Sequence, residues 1–291
     1  MDEIEWCTTD VPVGGPLADL IRAGIWDINK MVHYLPVYES SFGDPSRPVR
    51  ILEIGVSFGG SLELWRAYLT HPDSVIVGID ANPKCVQFND PDNNVYVRIG
   101  KQQDEKFLQS MADELGPFDI VIDDGSHIPS YTLKSFEFLF RNGLVDGGAY
   151  LVEDLHTCYS SDCREPFPDE PWLAGANDGS PQFIDYVKQL MDVMHEVYLQ
   201  TDTGVGVDKL EPNNPEKVDS FRVSPMARLV KSIELHDSIV VIRKGPRELT
   251  RMLRRWSRDR MSTVLNPDAA KYLDENPHLG DADRERRDWF V

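Results

Sequence analysis

The chain has 291 residues, 41% of them hydrophobic, enough for one α/β domain with additions or for two small domains. Its 30 basic and 49 acidic side chains leave a net charge of −19, a surface that repels nucleic-acid phosphate and anionic lipid, so neither is expected as a main partner. No window approaches 18 apolar residues, which excludes a transmembrane helix.

The opening stretch MDEIEWCTTD is acidic and lacks an apolar segment, so no secretory signal is expected. The four cysteines, Cys7, Cys85, Cys158 and Cys163, follow no disulfide-framework or metal spacing, which fits a reducing cytoplasm. Residues 16–35 place Leu17, Leu20, Ile21, Ile25, Ile28 and Val32 at helical spacing, predicting one N-terminal helix. A loop follows over Phe42–Arg47. Short apolar runs then alternate with amphipathic segments. The runs are Val49–Ile54, Val75–Ile79, Val95–Ile99, Phe118–Ile122 and Ala149–Val152, and the segments lie near Ser61–Leu69, Asp104–Leu115 and Tyr131–Phe140. Such alternation predicts a parallel sheet with helices on both faces.

Residues 161–180 are rich in Pro, Asp and Gly and too long for a simple connection, so they read as a lid or binding loop. A helix is expected from Pro181 to Leu199 and a loop over Gly204–Asp219. Lys231–Leu235 and Ser238–Arg243 flank His236-Asp237 and read as a hairpin that adds antiparallel strands to one sheet edge. The segment Lys244–Arg260 is rich in arginine and reads as a solvated helix face. The division is 1–45 as an N-terminal helical segment, 46–245 as the main domain with loop 160–180 as its lid, and 246–291 as a C-terminal tail.

The first strand ends in Glu53-Ile54-Gly55-Val56-Ser57-Phe58-Gly59-Gly60, with a helix beginning near Ser61. A tight glycine turn there lets a ligand approach backbone N–H groups at a helix N-terminus. Asp80 closes the next strand, 25 residues after Gly55, where a carboxylate can accept ribose hydroxyls. The pair points to an adenosine-containing cofactor. A nicotinamide fold with oxidoreductase chemistry is one reading, but Ser57 stands where a pyrophosphate needs glycine. S-adenosylmethionine has no pyrophosphate, and Glu53 suits its ammonium group. Gly55-Val56-Ser57-Phe58-Gly59 also matches a hydrolase nucleophile elbow, without the upstream oxyanion glycines. A turn that only packs helix on strand, and a binding protein without catalysis, are further readings.

The fourth strand ends in Asp123-Asp124-Gly125-Ser126-His127, and the next in Glu153-Asp154. Sites in open α/β sheets lie at the carboxyl ends of strands, so both acidic pairs point to the crevice of the glycine loop. Converging carboxylates repel, and a hard oxygen-seeking cation such as Mg²⁺ relieves this. His127, on the loop leaving the same strand end as Asp124, is the natural general base. Acids at strand ends also cap following helices. A zinc site from His156, Cys158 and Cys163 has the wrong spacing.

The Glu53–Ser61 string resembles motif I of class I methyltransferases. With Gly100-Lys101-Gln102-Gln103-Asp104, Ile122-Asp123-Asp124-Gly125-Ser126-His127 and Val152-Glu153-Asp154-Leu155-His156-Thr157-Cys158-Tyr159, residues 30–245 resemble the metal-dependent sugar O-methyltransferases of actinobacteria. These act on macrolide sugars such as those of mycinamicin, other glycosylated natural products and methylated mannose polysaccharides. The resemblance implies a doubly wound, Rossmann-like α/β sheet whose seventh strand is inserted beside the sixth. It implies an enzyme of antibiotic or polysaccharide biosynthesis that moves a methyl group from S-adenosylmethionine to a sugar hydroxyl. Mg²⁺ is expected on Asp124, Glu153 and Asp154, and His127 with Asp124 is expected to carry catalysis. Glu53, Gly55, Ser57, Gly59 and Ser61 are expected on the methionine side of the cofactor, Asp80 on its ribose, Gln102 and Gln103 on its adenine side, and Asp123 also among the cofactor-binding residues. Lys101 departs from an expected acidic residue. Tyr34 is expected near the cofactor, and Tyr159, Phe167 and Trp172 near a small-molecule or oligosaccharide acceptor. A homo-oligomer, dimer or higher, is expected to complete the pocket.

Overall fold

The computed structural model describes residues 10–24, 26–159, 181–195 and 224–246. The expected lid 160–180 with Phe167 and Trp172, the loop 204–219, the arginine-rich segment from 247 onward, Cys7 and Cys163 lie outside the described residues.

Seven strands form one sheet: β1 Arg50–Ile54, β2 Val75–Asp80, β3 Val95–Ile99, β4 Phe118–Asp123, β5 Leu144–Val152, β6 Val230–His236 and β7 Ile239–Lys244. Their order is β3-β2-β1-β4-β5-β7-β6. β1 to β5 run parallel, while β7 is antiparallel to both β5 and β6. The hairpin therefore lies at one edge, with the last strand inserted inside the sixth, as the resemblance implies.

The central strands are mostly apolar, with helices covering both faces, and their buried charged exceptions Glu53 and Asp123 lie toward the carboxyl ends. Alternate side chains serve alternate layers. Ile51, Ile76, Ile120, Ile122 and Leu151 enter one core with α1 (Pro16–Ala23), α2 (Leu35–Phe42) and α3 (Gly60–Tyr68). Leu52, Ile54, Val77, Val121 and Val152 enter the other with α4 (Glu105–Leu115), α5 (Pro129–Asn142) and α6 (Phe183–Met194). A short α7 (Pro225–Leu229) leads into β6. Asp104 caps α4 by accepting the N–H groups of Lys106 and Phe107.

The N-terminal region differs from the single helix expected over 16–35. α1 stops at Ala23, Gly24 takes an extended conformation, and Trp26–Met31 is irregular. Ile28 and Met31 still pack on the core, so their apolar character reflects burial without helical structure. A 3-10 turn at Val32–Tyr34 then opens α2, whose Pro36 lies in the first turn where no N–H is needed. The irregular stretch runs beside the start of α3: a methyl group on Gly60 would lie 2.4 Å from the Asp27 carbonyl oxygen. This places Lys30 at the carboxyl end of the sheet.

Candidate active site

Strand register assembles the site. Ile54 pairs with Asp123, and Asp123 pairs with Val152. The ladder continues one step further, with Asp124 N–H donating to Ile54 O at 3.0 Å and Glu153 N–H to Asp123 O at 3.0 Å. Gly55, Asp124 and Glu153 thus leave three adjacent strands at one level.

Gly55 has φ +96°, and a Cβ there would lie 2.1 Å from the Asp124 carbonyl oxygen. Gly59 has φ +80°, and its Cβ would meet the Phe88 ring at 2.5 Å. Ser57, His127 and Asp154 are non-glycine residues at φ 49°, 55° and 55°. Left-handed conformations of this kind persist where surrounding structure enforces them, and they gather at functional sites.

Asp124, His127 and Asp154 can each offer one ligand atom within 4.8 Å of the others. His127 Nε2 is 3.7 Å from Asp124 Oδ1 and 3.8 Å from Asp154 Oδ2. All three side chains are partly exposed. Glu153 lies deeper. Its Oε1 accepts the Tyr38 hydroxyl at 2.7 Å. Burial pushes its carboxyl up to about 8, with nearby Asp124 adding to the shift and Lys30 opposing it.

Lys30 was absent from the expected site, yet it binds most of it. Its ammonium donates to Asp124 Oδ2 at 2.7 Å, Glu53 Oε1 at 3.1 Å, and Glu153 Oε1 and Oε2 at 3.2 and 3.1 Å. Its side chain is only 5% exposed. Burial draws the amine down, but Asp124, Glu153, Tyr38 and Glu53 together hold it well above the usual lysine value. Four residues on, the Tyr34 hydroxyl donates to Asp154 Oδ1 at 3.0 Å. Four further on comes Tyr38. Tyr34, expected near the cofactor, is thus a buttress of Asp154. Lys30 lies in the irregular stretch and Tyr34 in a 3-10 turn, so no single helical spacing announces the three together.

The remaining expected residues divide. Glu53 is fully buried, and its Oε2 accepts Ser61 Oγ at 2.7 Å and Trp65 Nε1 at 3.0 Å. The ammonium it faces is the protein's own. Asp80 Oδ2 accepts the N–H groups of Val56 and Ser57 at 2.9 and 3.0 Å, and Oδ1 that of Asn82 at 2.7 Å. It fixes the glycine turn. Asp123 is 2% exposed and accepts Ser135 Oγ at 2.8 Å, the Tyr150 hydroxyl at 2.9 Å and Gln102 Nε2 at 3.2 Å. Gln102 Oε1 takes the Ser126 N–H at 2.8 Å. Asp123 and Gln102 therefore brace the 124–127 loop from below. Gln103 is half-buried in the turn after β3, and Lys101 beside it is exposed. His156 Nδ1 is 2.6 Å from Ser238 Oγ. No histidine hydrogen-bonds Ser57 among the described residues, so the elbow reading lacks a base.

No family model matches the sequence. It is 36% identical over 170 residues to the 8-demethyl-8-(2-methoxy-alpha-L-rhamnosyl)-tetracenomycin-C 3'-O-methyltransferase of Streptomyces olivaceus, covering 56% of this chain and 40% of that protein. It is 30% identical to the 8-demethyl-8-alpha-L-rhamnosyl tetracenomycin-C 2'-O-methyltransferase of the same organism, covering 81% and 55%. With the mycinamicin VI 2''-O-methyltransferase of Micromonospora griseorubida it shares 33% identity, covering 58% and 41%. The chain spans about half the length of these relatives. Among solved structures, the MycE methyltransferase of the mycinamycin biosynthetic pathway, in complex with Mg and SAH, matches at TM-score 0.57 and 28% identity, covering 79% of this chain and 53% of that one. A further MycE structure, which also holds mycinamycin VI, matches at TM-score 0.55. The sheet is a class I methyltransferase sheet, and the homologues are sugar O-methyltransferases of natural-product biosynthesis.

Proposed function

We propose that the chain transfers a methyl group from S-adenosylmethionine to a sugar hydroxyl of a small glycosylated acceptor, with Mg²⁺ at the acidic cluster. The observation that carries this is the meeting of Asp124, His127 and Asp154 beside the glycine turn, on a sheet shared with Mg- and SAH-bound relatives. The donor set fits the metal. A hard cation prefers oxygen, so the carboxylates of Asp124, Asp154 and Glu153 would hold it, and His127 remains for proton work.

The chain's own groups divide the task. The glycine turn and Asp80 would seat the cofactor. Asp124 and Asp154 flank the His127 imidazole, and His127 Nε2 would take the acceptor hydroxyl's proton. The two carboxylates stabilise the resulting imidazolium. Mg²⁺ held by these carboxylates would supply stabilisation for negative charge developing on the acceptor oxygen.

An open groove of about 230 Å³ lies beside the cluster, lined by His156, Tyr159, Ile184, Leu235, His236 and Ser238. Its mixture of aromatic, aliphatic and imidazole groups suits a glycosylated aglycone. The acidic surface favours a small acceptor over nucleic acid. No helix among the described residues is long and apolar enough to cross a membrane. A cytoplasmic setting and an oligomer that completes the acceptor pocket belong to the same reading.

Calorimetric titration of S-adenosylhomocysteine with and without Mg²⁺ tests the core of this reading. Binding that Mg²⁺ strengthens is the expected result, and absence of binding in both overturns it.

A further inference from the structure

Two of the three carboxylates expected to hold the metal are held by Lys30. Its ammonium bonds Asp124 Oδ2 and both Glu153 oxygens, and it also pairs with Glu53, which lies outside the ligand set. Asp154 is the exception: its Oδ1 takes the neutral Tyr34 hydroxyl. Carboxylates this close, buried or half-buried, either keep protons or need a counter-charge, because desolvation and mutual repulsion both oppose the charged forms. An ammonium at hydrogen-bond distance supplies that charge. A dication on the same oxygens would then face a positive charge a few ångströms away, in surroundings where water screens little.

We infer that Lys30 is the resident cation of this site: it holds Asp124 and Glu153 together before a divalent ion arrives, and it competes with that ion for their oxygens. The inference rests on the metal reading above and adds a positioning residue to it. The segment divides its labour by charge. Tyr34 and Tyr38 donate from neutral hydroxyls to Asp154 and Glu153, so they orient ligands without opposing a cation. Lys30 orients and opposes at once, and thereby sets how strongly the site holds its metal. Its long unbranched side chain comes from an irregular stretch, so the amine can leave the oxygens without breaking a helix or strand.

The test is Mn²⁺ binding to the full chain, followed by electron paramagnetic resonance, with Mg²⁺ as competitor. Lys30→Met is expected to bind Mn²⁺ about tenfold or more tightly than the parent, and Lys30→Arg, which keeps the charge, is expected to stay near it. A merely structural lysine predicts the reverse, since a loosened site binds metal less well. Should Lys30→Met fail to fold, Lys30→Met with Glu53→Gln removes the carboxylate left unpaired outside the ligand set and carries the same expectation. Parent binding with equal or weaker binding in the folded variant overturns the resident cation and leaves the methyltransferase reading standing. No Mn²⁺ binding by any of the proteins overturns both.

Discussion

Glu153 shows how single residues set the site's cost. Its carboxyl is buried, and its supports are one hydroxyl from Tyr38 and one ammonium from Lys30. Tyr38→Phe removes a donor from a buried acceptor and is expected to destabilise the protein by about 1–3 kcal/mol in urea unfolding. Burial also raises the carboxyls of Glu53, Asp123 and Glu153. Each then binds its proton more tightly folded than unfolded, so stability falls as pH rises through that window. For Glu153 the window runs from the ordinary value of 4.5 to about 8. Thermal melts in a chelator are expected to show a falling Tm between those limits, and a Tm rising throughout contradicts the account. His127 is partly exposed beside Asp124 and Asp154. His127→Ala is expected to cost about 10²–10⁴ in methyl-transfer rate while leaving S-adenosylhomocysteine binding in place. Equal rates in the two proteins contradict its role as base. The position of His127 beside Asp124 was legible because both leave one strand end together with further acids, although a lone histidine would read as structural or solvated. Lys30 was not, because a lysine between apolar positions reads as a solvated helix face, and only the tertiary structure brings it to residues 53, 124 and 153.

At the scale of elements, the parallel strands were legible and the N-terminal segment was not. A strand buried on both faces is a short apolar run with turn residues behind it, a pattern that depends little on neighbours. Residues 16–35 carry apolar side chains at helical spacing, but Gly24 and tertiary packing break the helix and turn 26–31 across the strand ends. α2 was not expected, since the predicted helix ended at residue 35, yet Pro36 sits in its first turn, where proline suits a helix. The register of β1, β4 and β5 makes the glycine turn and the acidic loops one unit. Gly55 is where they touch, with the Asp124 carbonyl in the place of a Cβ. Gly55→Ala is therefore expected to lose at least about 1–3 kcal/mol of stability from backbone strain. It is also expected to weaken divalent-metal binding, because Asp124 has to move. Unchanged metal affinity in that variant would separate the turn from the acidic loop.

For the molecule as a whole, the class I sheet was legible from the alternation of runs and segments, and the inserted last strand from the resemblance. The acceptor was not. Its chemistry rests on relatives of which this chain spans about half, and on a groove formed by α6, the hairpin and the Leu155–Tyr159 stretch. Side chains from three separate places meet there, and no local spacing announces such a meeting. What the whole assembly predicts is a reaction that needs cofactor, metal and base together. The most direct measurement follows labelled methyl from S-adenosylmethionine into glycosylated acceptors, rhamnosylated tetracenomycin and mycinamicin VI among them, in Mg²⁺ and in EDTA. Label in an acceptor's sugar, dependent on Mg²⁺ and lost in His127→Ala, is the predicted result. Transfer that proceeds unchanged in EDTA, or in His127→Ala, would contradict the account.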